Sequence, residues 1–365
     1  MSGMNYIETA KTIKETQRDG KEGPEMVSMR DISLRCGVSV ATVSKALNNH
    51  SDISEATKQM VRAAAQEMGY FPNASARTLK TSRSYNVGVL FVDRAGNGLM
   101  QDYFGSILNS FKDKVESEGY DLTFLNANRT NHRMTFLEHS RYRGLDGVVV
   151  ANVDFNQEEV AELIRSEIPV VTIDHTYDSK PSVISDNIGG MRALVTYAAE
   201  MGHRRIAYIT GGDQSPVTRN RIGSFYHTLE SLQIPVREEY VTDGDYRNPE
   251  RCCEVTKRLL DLPEPPTCIL YPDDLAAIGG VNALKERGLS IPEDVSICGY
   301  DGIDIARMLE PKITTIEQDT ASIGRIAAEK LIGMIEHPKT ALIDRTVVEG
   351  RLLKGNSVRN LTRQE

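Results

Sequence analysis

The chain has 365 residues, 40% hydrophobic and 26% charged, which allows two or three globular domains and excludes disordered, collagenous and coiled-coil classes. No apolar run approaches the ~18–20 residues of a membrane helix, and the five scattered cysteines (Cys36, Cys252, Cys253, Cys268, Cys298) contain no C-x-x-C, so no membrane partner, disulfide framework or structural zinc is expected. The net charge of −8 argues against nucleic acid only until it is partitioned: residues 28–84 carry +4, residues 1–27 carry −1 and residues 85–365 carry −11.

Residues 1–27 show no sustained apolar period, contain Asp19-Gly20 and Gly23-Pro24, and read as a flexible extension. Met1 to Ser28 is polar and lacks the apolar stretch of a signal peptide, so a cytoplasmic location is expected. From 30 to 70 the pattern is helical in short pieces. Ile32 and Cys36 share a face, Gly37-Val38-Ser39 interrupts, and Val43, Ala46 and Leu47 form the next apolar face. Ser54 is placed to cap a third helix carrying Val61, Ala64, Ala65 and Met68, with Gly69 at its end.

The first two pieces have the parts of a helix-turn-helix. Gly37 supplies the positive φ of a tight turn, Val38 fills the angle, and Ser39 caps a second helix that turns Val40, Ala41, Thr42, Ser44, Lys45 and Asn48 outward. Small and hydroxyl residues at a helix N-terminus allow close approach to phosphates. The turn alone fits a ligand-free three-helix core equally well; the helix lengths and the local charge favour DNA.

From Tyr85 onward strands alternate with amphipathic helices. Apolar runs at Val87–Val92, Asp121–Leu125, Gly147–Ala151, Pro169–Ile173, Arg205–Thr210, Thr267–Tyr271 and Val295–Gly299 are separated by helical stretches such as Phe104–Glu118, Ile188–Met201 and Ile323–Ile335. This alternation predicts βαβ units and mainly parallel sheets. Its length favours two doubly wound lobes with a pocket outside the carboxyl ends of their strands.

The basic module resembles the headpiece of the LacI/GalR family of bacterial transcription regulators. It matches in Gly37-Val38-Ser39-x-Ala41-Thr42-Val43-Ser44-Lys45-Ala46-Leu47-Asn48 and in the hinge pattern Gly69-Tyr70-Phe71-Pro72-Asn73-Ala74-x-Ala76-Arg77-x-Leu79. Ser185-Asp186-Asn187, Gly202-His203-Arg204-Arg205, Ile291-Pro292-Glu293-Asp294-Val295, Gly299-Tyr300-Asp301 and Thr314-Thr315-Ile316-x-Gln318 extend the likeness over almost all of 29–358.

The resemblance implies an all-α helix-turn-helix headpiece and an α/β core of two doubly wound, parallel-sheet lobes like a periplasmic binding protein. Expected boundaries are the headpiece at 28–72, a hinge at 73–84, an N-terminal lobe at 85–184 with 319–338, and a C-terminal lobe at 185–318 with 339–358. Val40, Ala41 and Lys45 would read base edges of double-stranded DNA, and Ser39, Thr42, Ser44, Asn48, Ser54 and Thr57 would position phosphates. Many relatives carry Arg where Lys45 stands, and Lys lacks the bidentate fork. Asn73, Ala76, Arg77 and Leu79 would form the DNA-side hinge, with Leu79 wedged into the minor groove. The alternative for Leu79 is packing against the core.

Carried over residue by residue, the effector site would be Arg129, Arg221, Tyr246, Asp273, Asp301 and Gln318; Arg221 and Asp301 are anchored in clear motifs, and for each of the other four a surface or intra-lobe salt-bridge role is equally open. Arg and Asp suit vicinal hydroxyls, and Tyr246 offers a flat face. The chain departs from the family in Asp273-Asp274, where Asn-Asp is usual, and in Val92–Gly98, where Asn-Pro-Phe-Phe is missing. Asp93 and Asp102 would enlarge an acidic pocket, favouring a polyhydroxylated or cationic ligand over an anionic one. A sugar is expected first, with an amino sugar, nucleoside or amine behind it.

His203 reads as a structural turn residue, Cys252-Cys253 as packing, and Gly211-Gly212 as poor evidence for a phosphate site. The seven histidines show no metal spacing and no catalytic constellation or cofactor motif emerges. The reading is therefore a DNA-binding repressor, not an enzyme. The resemblance implies a homodimer, since the family's tetramers use a C-terminal leucine-heptad tail that the end of this sequence does not show, and it implies a pseudo-palindromic operator. The alternative is a small-molecule binding protein without a DNA role.

Overall fold

The computed structural model describes residues 27–71, 83–92, 102–125 and 134–362. The extension 1–26, the hinge residues Asn73, Ala76, Arg77 and Leu79, and the expected site residues Asp93 and Arg129 lie outside these. The chain divides into two compact units, one ending at Arg83 and one beginning at Ser84.

The first unit contains α1 (Met29–Cys36), α2 (Val40–Leu47) and α3 (Glu55–Glu67). Each start is fixed by a serine. Ser28 closes a capping box with Asp31, Ser39 Oγ accepts from Thr42 N at 3.0 Å, and Ser54 Oγ accepts from Thr57 N at 3.2 Å. Gly37 ends α1 at φ +65°, a left-handed conformation that turns the chain directly into the cap of α2. Ile32, Val43, Ala46, Val61, Ala64 and Ala65 form the core, with Val38 and Leu47 packed beside it.

The second unit holds two parallel sheets. In the first, β1 (Asn86–Phe91), β2 (Asp121–Leu125), β3 (Gly147–Ala151), β4 (Val170–Ile173), β5 (Ser182–Ser185) and β11 (Arg345–Val348) run in the order β11-β5-β4-β3-β1-β2. Strand alternation sorts the side chains. Val87, Val89, Val149, Ala151, Val171 and Ile173 face α4 (Asp102–Ser117) and α12 (Thr320–Glu336). Leu90, Val148, Val150 and Val170 face α5 (Phe136–Arg143) and α6 (Glu158–Arg165).

The second sheet has the order β7-β6-β8-β9, from β6 (Ile206–Thr210), β7 (Val241–Asp243), β8 (Cys268–Leu270) and β9 (Ser296–Cys298). On one face it is covered by α7 (Asn187–Glu200) and α8 (Pro216–Ser231). On the other lie α9 (Pro249–Leu260), α10 (Asp274–Glu286) and the short α11 (Asp304–Met308). An antiparallel pair, β10 (Thr315–Glu317) with β12 (Arg351–Leu353), sits where the chain passes between the lobes.

One boundary differs from expectation. Residues 339–358 were expected in the C-terminal lobe, yet β11 pairs in parallel with β5 from Arg345↔Ser182 to Val348↔Ser185 and so belongs to the first sheet. Its side chains alternate between exposed and covered, as an edge strand requires, and that short pattern carries no mark of which sheet it joins. No described helix is long and apolar enough to cross a membrane.

Candidate DNA-reading face and effector cavity

In the first unit Val40, Ala41 and Lys45 are exposed on the side of α2 opposite the buried Val43 and Ala46. The Ser39 and Thr42 hydroxyls lie 2.9 Å apart, as do Ser54 and Thr57 at 2.8 Å, so α2 and α3 both start with a hydroxyl pair beside open backbone N–H groups. Such starts attract phosphate through the helix dipole. Asn48 donates its amide to Ser44 O at 2.8 Å, and the Lys45 ammonium pairs with Asp52.

In the second unit a cavity of about 720 Å³ lies at the carboxyl ends of both sheets. The chain reverses direction in strand order between β1 and β3, and again between β6 and β8, and these switch points open the crevice. Val92, Asn152 and Asp174 follow strands of the first sheet; Gly211, Tyr246, Asp273 and Asp301 follow strands of the second. Five of the six expected effector residues meet here: Arg221, Tyr246, Asp273, Asp301 and Gln318 all line it. Asp102 instead lines a neighbouring cavity of about 700 Å³.

Arg221 is the best-anchored group. It is 3% exposed, donates Nε–H to Asn187 Oδ1 at 2.7 Å and Nη1–H to Pro272 O at 2.8 Å, and lies 3.5 Å from the centre of the Tyr300 ring. Those contacts fix the guanidinium plane through Nε, Nη1 and the ring face. Gln318 donates Nε2–H to Asp301 Oδ1 at 2.6 Å, while its buried Oε1 has no partner among the described residues. Burial pushes the Asp301 carboxyl up to about 7, against the pull of Arg221 and with the push of Asp273.

For two of these residues the structural alternative finds local support. Asp273 caps α10 by accepting from Ala276 N at 2.7 Å and accepts from Arg247 N at 2.7 Å, so each oxygen already serves the backbone. The Tyr246 ring lies against Gly211, where a Cβ would come within 1.9 Å of it, and its hydroxyl meets Thr218 Oγ1 at 2.9 Å. One ring face is therefore covered by main chain.

The structure adds residues that the sequence did not single out. Asp174 accepts from Tyr103 Oη at 2.8 Å and from Ser185 N at 3.0 Å, and His175 stacks on Phe155 at 4.0 Å and 6°. Burial, aided by Arg219, keeps the His175 imidazole below its ordinary pKa. Asn152, Asp174, Arg247 and Asp301 all line the cavity with positive φ, so backbone strain gathers around it. The position of Asp174 and His175 directly after an apolar strand was the available signal.

A profile of bacterial regulatory proteins of the lacI family matches residues 28–73, and a periplasmic binding protein-like domain matches 195–358. The transcriptional repressor CytR of Escherichia coli is 30% identical over 319 residues, 87% of this chain and 92% of that protein. The chain belongs to the LacI family. The lac repressor dimer bound to operator and the anti-inducer ONPF has the same fold, with a TM-score of 0.78 and 24% identity over 92% of this chain and all of that one. A LacI-family regulator from Enterococcus faecium with bound ribose follows at a TM-score of 0.66 and 25% identity, covering 76% of this chain and 99% of that one.

This LacI-family chain is thus a DNA-binding transcriptional regulator with a helix-turn-helix headpiece and a two-lobed α/β core. His203 is 1% exposed and bridges Thr267 Oγ1 at 2.9 Å and Arg359 O at 3.2 Å, as a turn histidine should. Cys252 is buried in α9, in agreement with a packing role. Among the described residues no group of three His, Cys, Asp or Glu side chains could hold a metal ion.

Proposed function

We propose that the protein represses transcription as a homodimer on a pseudo-palindromic operator, and that a neutral sugar bound between the two lobes sets its operator affinity. Val40, Ala41 and Lys45 read bases; Ser39, Thr42, Ser44, Asn48, Ser54 and Thr57 hold phosphates. Residues 73–84 form the hinge, with Leu79 as the wedge. Arg221, Asp301 and Gln318 are the principal effector contacts, with Arg129 and Tyr246 completing the site. The ribose and operator complexes of the two related proteins support this reading.

The observation that carries the ligand class is the immobilised Arg221 in a cavity lined by several carboxylates. Asp174, Asp213, Asp245, Asp273 and Asp301 outnumber Arg221 and Arg247, which disfavours an anion, while an Arg–Asp pair suits adjacent hydroxyls. The flat Phe155–His175 stack offers an apolar platform to the face of a sugar ring.

A thermal-shift panel of sugars, nucleosides and amines, followed by gel-shift on the DNA upstream of the gene, tests this. At least one sugar should raise the Tm of the wild type and change DNA retention, and Arg221→Ala should abolish both responses. A nucleoside or amine acting where no sugar does would overturn the ligand class.

A further inference from the structure

The headpiece segment 28–84 contains four acidic residues, and three are engaged away from the outward face of α2. Asp31 accepts from Ser28 N at 2.8 Å and Ser28 Oγ at 2.6 Å, closing the cap of α1. Glu55 pairs with the buried Lys58 at 2.7 Å, and Glu67 pairs with Arg35 at 3.5 Å. Asp52 is different. It lies in the turn between α2 and α3, its side chain is 54% exposed, and its carboxylate holds the Lys45 ammonium, whose side chain is 47% exposed.

The outward face of α2 therefore offers a cation and an anion side by side. A carboxylate where a protein meets DNA weakens attraction for every sequence, since it adds to phosphate repulsion. It can serve recognition by accepting from a base or by orienting a neighbouring cation that donates to one. The contact with Lys45 keeps the carboxyl below its ordinary range, so near neutral pH Asp52 accepts and does not donate.

We propose that Lys45 and Asp52 act as one unit that reads a G·C pair in the major groove. Lys45 donates to guanine N7 and O6, and Asp52 accepts from the N4 amino group of the paired cytosine. The major-groove edge of G·C presents two acceptors and then a donor, the complement of this pair. A·T presents its donor between two acceptors and ends in a methyl group, which sets the carboxylate against a hydrocarbon. The ion pair also gives the flexible Lys stem an orientation that a lone Lys lacks. This inference rests on the reading of α2 as the DNA-contacting helix and names Asp52 as a specificity-determining residue within it.

The test uses full-length wild type, Asp52→Ala, Asp52→Asn and Lys45→Ala in selection from a random duplex library. Anisotropy titrations then use the selected half-site with each base pair changed in turn. The expected result is one G·C pair at which wild-type discrimination, about tenfold or more, falls in both Lys45→Ala and Asp52→Ala. At that pair Asp52→Asn should move the preference toward A·T, since an amide offers adenine both a donor and an acceptor. If Asp52→Ala strengthens binding equally to all duplexes with the preference intact, Asp52 merely neutralises charge and the proposal falls. If Lys45→Ala also leaves every preference intact, the reading of α2 falls with it.

Discussion

Asp301 concentrates the opposing demands on a buried site. It is a carboxyl in a cavity wall, hydrogen-bonded to Gln318, at φ +102°, with its pKa pushed up to about 7 by burial. Because the folded chain holds this proton more tightly than an unfolded one, the stability associated with it is present below about pH 4 and lost as pH rises toward 7. His203 acts in the opposite sense. Burial pushes it down to about 4, so its neutral form is favoured on folding and stability is lost as pH falls from about 6.5 toward 4. Asp301→Asn should therefore stabilise the fold more at pH 8 than at pH 5, the two gains in unfolding free energy differing by about 2 kcal/mol. Calorimetry at the two pH values decides it, and equal gains would show that Asp301 ionises without cost.

The cavity-lining residues were legible where a motif fixes them: Arg221 after the β6 loop, Asp301 in Gly-Tyr-Asp, and Gln318 after Thr-Thr-Ile. Asp174, His175 and Phe155 were not, because their roles come from the ends of strands that meet only in the folded sheet. The second functions of Asp273 and Tyr246 were equally hidden. A cap hydrogen bond and a ring lying on a glycine depend on coordinates, while the sequence reports only an acid and an aromatic.

At the scale of elements, close backbone approach sets the architecture of the first lobe. α12 crosses α4 at Gly324, where an added Cβ would lie 2.2 Å from Ile107 O and 2.7 Å from Phe111 N. Neither atom is the end of a flexible side chain, so the helices themselves must separate. Gly324→Ala is expected to destabilise the protein by about 1–3 kcal/mol despite the better helix propensity of Ala. Urea denaturation measures this, and a stabilised variant would mean that the two helices separate freely.

Helix starts were the clearest sequence signals, as Ser39 and Ser54 cap α2 and α3 where local hydrogen bonding predicts. Strand membership was the least clear. β11 has the covered-exposed alternation of any edge strand, and only its pairing with β5 assigns it to the first lobe.

For the whole molecule, the lobes are joined by three passages of chain, between β5 and α7, between β10 and α12, and between β11 and β12. Gln318 stands in the second passage and Asn187 at the start of α7 after the first. Both touch cavity residues, Asp301 and Arg221 respectively. A ligand on Arg221 and Asp301 is thus one bond from the segments that join the lobes, a geometry suited to hinge closure. An effector at a hundredfold its Kd should stabilise the core by about 2.7 kcal/mol. The same effector on Asn187→Ala should bind more weakly, because the Arg221 guanidinium loses its support at Nε. Denaturant unfolding with and without effector checks the first and isothermal titration the second, and unchanged affinity in Asn187→Ala would show that Asn187 does not position Arg221.

Whatever depends on short-range physics could be read from the residue order. Charge partition separated a basic module from an acidic body, capping residues and left-handed glycines delimited the helices, and strand–helix alternation predicted parallel sheets. Tertiary structure alone decided which strands share a sheet, which carboxylates the backbone already occupies, and that Lys45 meets Asp52. Those facts arise from residues far apart in the chain or from side-chain direction, and a hydrophobic period of 2 or 3.6 residues carries no information about either.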